Sequence, residues 1–310
     1  LQEAYDLRVR LYPDRTSYRV VYSEADFLPG LIVDKYEDYL VVQTLTLGME
    51  QRLHSIQEGL ERVFRPRGII LRNDAAIRTL EGLPLEKRIL KGSPPAPVSI
   101  EEGGLSLQVD LLEGQKTGFF FDQHDNRRAS APYFQGRTVL DCFCYTGAWS
   151  LTALQAGARE VLGIDSSEKA IALARENAAL NGYASRATFR VGDVWAELKA
   201  LRRQRRRFGA IILDPPAFVK SKQKLREGLR GYLEVNRQSI ALLEPGGILI
   251  TSSCSHHVSR EEFVSVLLRA AQKAGRTARL LEMRGQARDH PVLLAAPETA
   301  YLKCVILEVR

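Results

Sequence analysis

Cys254 stands in the run Ser252-Ser-Cys254-Ser255, at the end of an apolar, strand-like stretch. A thiolate is a strong nucleophile, and partial exposure near basic groups lowers a cysteine's pKa. Forty residues earlier comes Asp214, also closing an apolar stretch and followed by Pro-Pro-Ala-Phe218. Asp141, Asp165 and Asp193 close three further stretches of the same kind. Any one of these acids alone reads as a helix cap or turn residue. As a set they describe one cleft edged with carboxylates, able to accept hydrogen bonds from hydroxyl and amino groups. Cys142, Cys144 and Cys304 read as small buried hydrophobes. Cys142 and Cys144 are two apart, but no further Cys or His cluster completes a metal site, so no metal is expected. His256-His257 reads as loop, although either ring could carry protons near neutral pH.

The elements that must position these residues follow a strand–helix alternation from Gly136 onward, the mark of a parallel sheet covered on both faces. Strands are expected at 138–142, 160–165, 187–193, 210–214, 248–252, 279–283 and 301–309. Helices are expected at 148–156 and 168–180, each followed by a glycine (Gly157, Gly182) suited to a left-handed carboxyl end. Ser166 and Ser167 are candidate caps for the second helix. In an open parallel sheet, ligands bind outside the carboxyl ends of the strands, where the four acids fall. After Asp141 comes Cys-Phe-Cys-Tyr-Thr146-Gly147, and Gly147 allows close backbone approach to a ligand. The fingerprint G-x-G-x-x-G is absent, which argues against a pyrophosphate cradle there. Asp165 is placed to accept from ribose hydroxyls, and Asp193 from an adenine amino group.

Before this alternation lie shorter patterns: strands at 18–22, 31–33, 39–45 and 68–72, and an amphipathic helix over 51–64. The Pro-rich stretch Lys91–Pro97 reads as a linker. Two domains are therefore expected, a small α+β unit over 1–95 and a larger α/β unit over 96–310. No internal repeat is present. The chain has 310 residues, 45% hydrophobic and 26% charged, the balance of an ordinary globular protein. Lys and Arg number 44 against 37 Asp and Glu, a net charge of +7 that favours an anionic partner such as nucleic acid. No run of apolar residues is long enough for a membrane span, and no signal-peptide pattern opens the chain. Four cysteines form no disulfide framework, so a reducing, cytoplasmic setting fits. The first residue is Leu1 and not Met, so the start is a processed, trimmed or fragment boundary.

The four acids together with the Asp-x-Phe-x-x-Thr-Gly turn resemble the class I S-adenosylmethionine (SAM)-dependent methyltransferase fold, Rossmann-like with a mostly parallel seven-stranded sheet. Two acceptors then stay open. With Cys254 as nucleophile the acceptor is carbon 5 of cytosine, activated by thiolate addition at carbon 6 while Asp214 hydrogen-bonds ring nitrogen 3. With Asp214-Pro-Pro orienting an exocyclic nitrogen, the acceptor is guanine N2 or adenine N6, although Ala217 separates Phe218 from the prolines. A third reading is an RNA-binding module that holds SAM without turnover.

The chain resembles, over nearly its whole length, the bacterial ribosomal RNA large-subunit methyltransferase I group, enzymes that form 5-methylcytosine in 23S ribosomal RNA. The resemblance rests on Glu24-Ala-Asp-Phe-Leu-Pro-Gly-Leu-Ile-Val-Asp34, Lys116-Thr-Gly-Phe-Phe-Phe-Asp-Gln-His-Asp-Asn-Arg127 and Val139–Gly147. It continues through Asp214–Ser221, Ser253-Cys-Ser255, Asp289-His-Pro291 and Pro297-Glu-Thr-Ala-Tyr-Leu-Lys303. It implies that Asp141, Thr146, Gly147, Asp165, Asp193 and Asp214 border the SAM pocket. It also implies that Lys116–Arg127 closes over the cofactor through Gln123 and Arg127, and that Cys254 is the nucleophile. Phe218, Lys220, Lys222 and Lys224 are the expected substrate contacts, with Arg226, Arg230 and the run Arg202–Arg207 as further phosphate partners. A homodimer is compatible with this pattern. Two features depart from the group. Its members begin with a small RNA-binding domain that would precede Leu1, and a second cysteine often occupies the position of Ser252. No cysteine follows Pro215 either, which leaves the group that assists product release unassigned.

Overall fold

Runs rich in Val, Leu and Tyr at 18–22, 31–36 and 39–44 build a sheet whose first three strands are buried at nearly every position, with Arg19 and Asp34 paired among them. The computed structural model describes residues 1–310, which divide into two compact units. The first comprises Leu1–His124 and Ala287–Ala300, the second Asp125–Gln286 and Tyr301–Arg310. Residues 95 and 96 lie in the connection between two strands inside the first unit.

In the first unit the order is α1 (Gln2–Leu11), β1 (Tyr18–Tyr22), β2 (Leu31–Tyr36), β3 (Tyr39–Thr44), α2 (Leu47–Glu50), α3 (Leu53–Phe64), β4 (Gly68–Asn73) and β5 (Glu86–Lys91). The five strands pair in chain order, with only β3 and β4 parallel, because the helical crossover returns the chain in the same direction. Ile56 and Leu60 of α3 bury against Leu40, Val42, Ile69 and Leu71. A two-stranded hairpin follows, β6 (Val98–Glu102) with β7 (Leu105–Val109). Helix α1 has no apolar stripe to betray it: its buried residues are Ala4 and Arg8. Arg8 is fully buried and ion-paired with Asp26, while Arg19 meets Asp34 at 2.8 Å. Thr117 adds its hydroxyl to Asp34 at 2.5 Å, and Asp289 accepts the Arg19 amide and pairs with His290. Buried charges persist only when paired in this way.

The second unit contains α4 (His124–Ser130, from its second residue), β8 (Thr138–Cys142), α5 (Ala148–Gln155), β9 (Glu160–Asp165) and α6 (Glu168–Leu180). It continues with β10 (Ala187–Val191), α7 (Val194–Arg203), β11 (Phe208–Leu213), α8 (Leu225–Ile240), β12 (Leu243–Ser253), α9 (Arg260–Lys273), β13 (Ala278–Arg284) and β14 (Lys303–Val309). The seven strands lie in the order β10-β9-β8-β11-β12-β14-β13, parallel except for β14. This is the expected mostly parallel α/β sheet. Its strand order reverses between β8 and β11, the point where such sheets bind ligands. Fully apolar strands such as Phe208–Leu213 suit burial on both faces. Ser167 caps α6 through Ala170 N, as the sequence suggested. No helix of the chain is long and apolar enough to cross a membrane.

Candidate active site

Five parallel strands of the second unit, β8 to β12, deliver side chains to the carboxyl edge of its sheet. After β8 the chain turns sharply, with Phe143 (φ 63°) and Tyr145 (φ 48°) in the left-handed region that side chains disfavour. The turn is held from several directions. Tyr145 N donates to Asp165 (3.0 Å), Cys144 N to the Ile164 carbonyl (3.1 Å), and Asn177 Nδ2 to the Thr146 carbonyl (3.1 Å). Gly147 (φ 86°) starts α5, and a Cβ there would come within 3.1 Å of the Phe189 ring. The close approach that this glycine permits within the protein is therefore by Phe189. Thr146 is buried beside it.

The acids behave differently from one another. Asp141 is wholly buried: one carboxyl oxygen accepts from Ser150 Oγ at 2.6 Å, and the other has no partner. Burial raises its pKa to about 7, and repulsion from Asp214 and Asp165 pushes the same way. Asp165 accepts two backbone N–H groups, from Tyr145 and Ser167. Asp214 is half-buried and accepts Trp149 Nε1 at 3.1 Å. Asp193 is exposed and caps α7 through Ala196 N at 2.9 Å. Three carboxylates thus lie within each other's field, which makes this edge favourable to a cation. Trp149 gave no signal in the sequence beyond its place in the first turn of α5.

Cys254 follows β12, whose neighbour β11 runs directly into Asp214. Its sulfur lies 3.9 Å from the Pro215 carbonyl. It is the one cysteine of four that is not buried. Burial drives the thiols of Cys142 and Cys144 well above their ordinary range, and that of Cys304 up to about 12. Those three cannot supply a thiolate near neutral pH. Next to Cys254, Ser255 Oγ meets Tyr232 Oη at 2.9 Å and accepts Val219 N at 3.1 Å. This tie joins the Pro-Pro loop to the cysteine, and residue types alone did not reveal it.

Phe218 is partly buried, its ring 4.7 Å from Tyr232 and 6.0 Å from Trp195. Lys220, Lys222, Lys224, Arg226 and Arg230 are all exposed, as are the five arginines of 202–207. Gln123 and Arg127 are both buried, Gln123 in the first unit and Arg127 in the second.

Residues 67–291 match the S-adenosylmethionine-dependent methyltransferase family. The chain is 43% identical over 298 residues to ribosomal RNA large subunit methyltransferase I of Aeromonas hydrophila, covering 95% of this chain and 75% of that protein. It is 42% identical to the protein of the same name from Tolumonas auensis, covering 94% and 74%. The chain belongs to this methyltransferase family. Its fold is also that of SMU.776, crystallised with S-adenosylhomocysteine (TM-score 0.87, 24% identity, covering 99% of this chain and 79% of that one). S-Adenosylmethionine is accordingly the methyl donor. The residues present suit it: the donor is a sulfonium cation, and Asp141, Asp165 and Asp214 concentrate negative charge at the strand ends, with one oxygen of Asp141 unpartnered. As in its relatives, this family's chemistry is methyl transfer from that cation.

Proposed function

We propose that the protein methylates carbon 5 of a cytosine in 23S ribosomal RNA through a covalent adduct with Cys254. The observation that carries the reading is the placement of the single accessible thiol at the end of β12, beside Asp214-Pro215. The names of its relatives supply the substrate class, ribosomal RNA. Asp165 and Asp214, with the Thr146-Gly147 turn, hold the donor; Asp141 braces that turn from beneath through Ser150 on α5. Asp193 and Arg127 complete the donor contacts of the second unit in this reading.

Cytosine carbon 5 is too electron-poor to take a methyl group unaided. The Cys254 thiolate adds to carbon 6, a sulfur–carbon bond forms, and the ring π electrons move toward carbon 5 and nitrogen 3. The Asp214 carboxyl, carrying a proton when the base is bound, donates a hydrogen bond to nitrogen 3 and steadies that charge. Bound S-adenosylmethionine supplies an electrophilic methyl group on a positively charged sulfur. Carbon 5 takes that methyl as the methyl–sulfur bond breaks and leaves a neutral thioether, S-adenosylhomocysteine; carbon 5 then loses its proton to a base, whereupon the sulfur–carbon 6 bond breaks and Cys254 is regenerated. Lys220, Lys222 and Lys224 neutralise phosphates, and Phe218 supports the loop that meets the base. Residues 1–95 contribute to RNA recognition, while 96–310 carry out the transfer, in the cytoplasm.

The test is transfer of labelled methyl from S-adenosylmethionine to unmodified ribosomal RNA, followed by nucleoside analysis. Labelled 5-methylcytidine from the unaltered chain and none from Cys254→Ala is the expected result. A methylated purine, or full activity in the variant, would replace the adduct with direct transfer to a base amine.

A further inference from the structure

We propose that Lys303 is a positioning residue that holds the Cys254 segment and favours the thiolate form of the cysteine. The inference rests on the reading of Cys254 as nucleophile. β14 is antiparallel to β12, so its first residue, Lys303, pairs with Ser253, immediately before Cys254. The Lys303 side chain is buried, and Nζ donates to the carbonyls of Ser255 (2.6 Å) and Tyr301 (2.8 Å). The segment is gripped again on either side, by the Tyr232 hydroxyl on Ser255 and by the Tyr301 ring stacked on His256 (centroids 5.2 Å apart). Cys254 therefore has little freedom to turn away from Pro215.

The electrostatics point the same way. Two carbonyls satisfy hydrogen bonds of a buried ammonium, yet they do not neutralise its charge. The ionisable groups that face Lys303 are Cys254 and, on α9, Arg260 and Glu262; Tyr232 and His256 flank the cysteine, and Asp214, next to Pro215, opposes its thiolate form. Glu262 is committed to the start of its own helix, where it accepts the Ser259 amide. Arg260 opposes the ammonium, while Cys254 is the strongest of the groups that stabilise it. Tyr232 is pushed upward by burial and stays neutral. Burial lowers Lys303 to about 8, into the range where a thiol also titrates. A Lys303 that titrates at about 8 is still mainly an ammonium at pH 7, and its positive charge favours the thiolate form of Cys254 over what the same site would give without it.

The experiment follows alkylation of Cys254 by iodoacetamide against pH on the full chain, read by mass spectrometry of the Cys254 peptide, with Cys254→Ser as blank. For the unaltered chain the midpoint is expected below that of a free cysteine, about 8.5. Lys303→Met is expected to raise it by about one unit, slowing alkylation at pH 7 about tenfold. Lys303→Arg is expected to bring the midpoint back. An unaltered chain with its midpoint at or above the free-cysteine value overturns the proposal without any variant. So does a Lys303→Met protein that binds S-adenosylmethionine normally and gives a superimposable curve. Failure of the nucleophile reading looks different: Cys254→Ser would still methylate RNA, whatever the alkylation curves show.

Discussion

Two strand ends of one sheet carry cysteine, and they make opposite use of it. At the end of β8, Cys142 and Cys144 sit beneath a turn of left-handed residues, fully enclosed, with thiols forced far from ionisation. At the end of β12, Cys254 has the Pro215 carbonyl on one side and the Lys303–Ser255 tie on the other, and keeps access to solvent. The same side chain is enclosed packing material in one place and an accessible thiol in the other. The difference lies in desolvation and in the charges nearby, carboxylates alone for the first pair and the Lys303 ammonium as well for Cys254.

The comparison breaks most visibly through the proposed nucleophile. Cys254→Ala is expected to lower methyl transfer by about 10⁴-fold or more, the scale of losing a covalent nucleophile, whereas Cys142→Ala keeps its rate. Equal losses in labelled-methyl assays would erase the distinction between the two ends. Asp214→Asn removes the carboxylate beside Cys254 and is expected to cost about 10²-fold in kcat, with donor affinity measured by calorimetry to separate binding from turnover.

Asp141→Asn sharpens the β8 side. A carboxyl raised to about 7 binds its proton more tightly in the folded state than in the unfolded one. Its contribution is present below pH 4 and is lost as pH rises toward 7. The variant's melting temperature should therefore improve relative to the parent between pH 5 and pH 7, and parallel melting curves would contradict this. Cys304→Ala, which empties a fully buried site, should cost about 1 kcal/mol and leave the rate intact, checked by denaturant unfolding and assay together. Smallest of all, Lys222→Ala with Lys224→Ala should lower the slope of log affinity against log salt by about 2 for RNA while sparing donor binding.

Much of this arrangement was legible in the sequence where short-range rules decide it. The boundaries of β8, β9 and α6 follow from apolar runs bounded by an acid, a cap and a glycine, and the structure places them at the expected residues. The edge at which the acids gather follows from strand direction alone. What could not be read depends on partners distant in the chain. Helix α1 hides because its buried residue is an arginine whose acid, Asp26, lies eighteen positions away. The return of 287–300 to the first unit rests on Asp289 meeting the amide of Arg19. Asp193 reads like its fellow acids yet serves as a cap in the open, because its strand stops two residues sooner than the apolar pattern suggests. Lys303 stood at the end of a recognisable motif, but its bearing on Cys254 appears only once β14 is laid against β12.

The placement of β14 also fixes an order of assembly. Strand β13 precedes it in the chain but reaches the sheet only through it, since β14 lies between β12 and β13. A chain in which β14 has not yet docked exposes the edge of β12 and leaves the Ser255 carbonyl without Lys303. Until residues 303–309 emerge and slot in, the cysteine belongs to an unfinished sheet. The strand that closes the sheet on β12 is thus also the one that brings the buried Lys303 ammonium to the Cys254 segment.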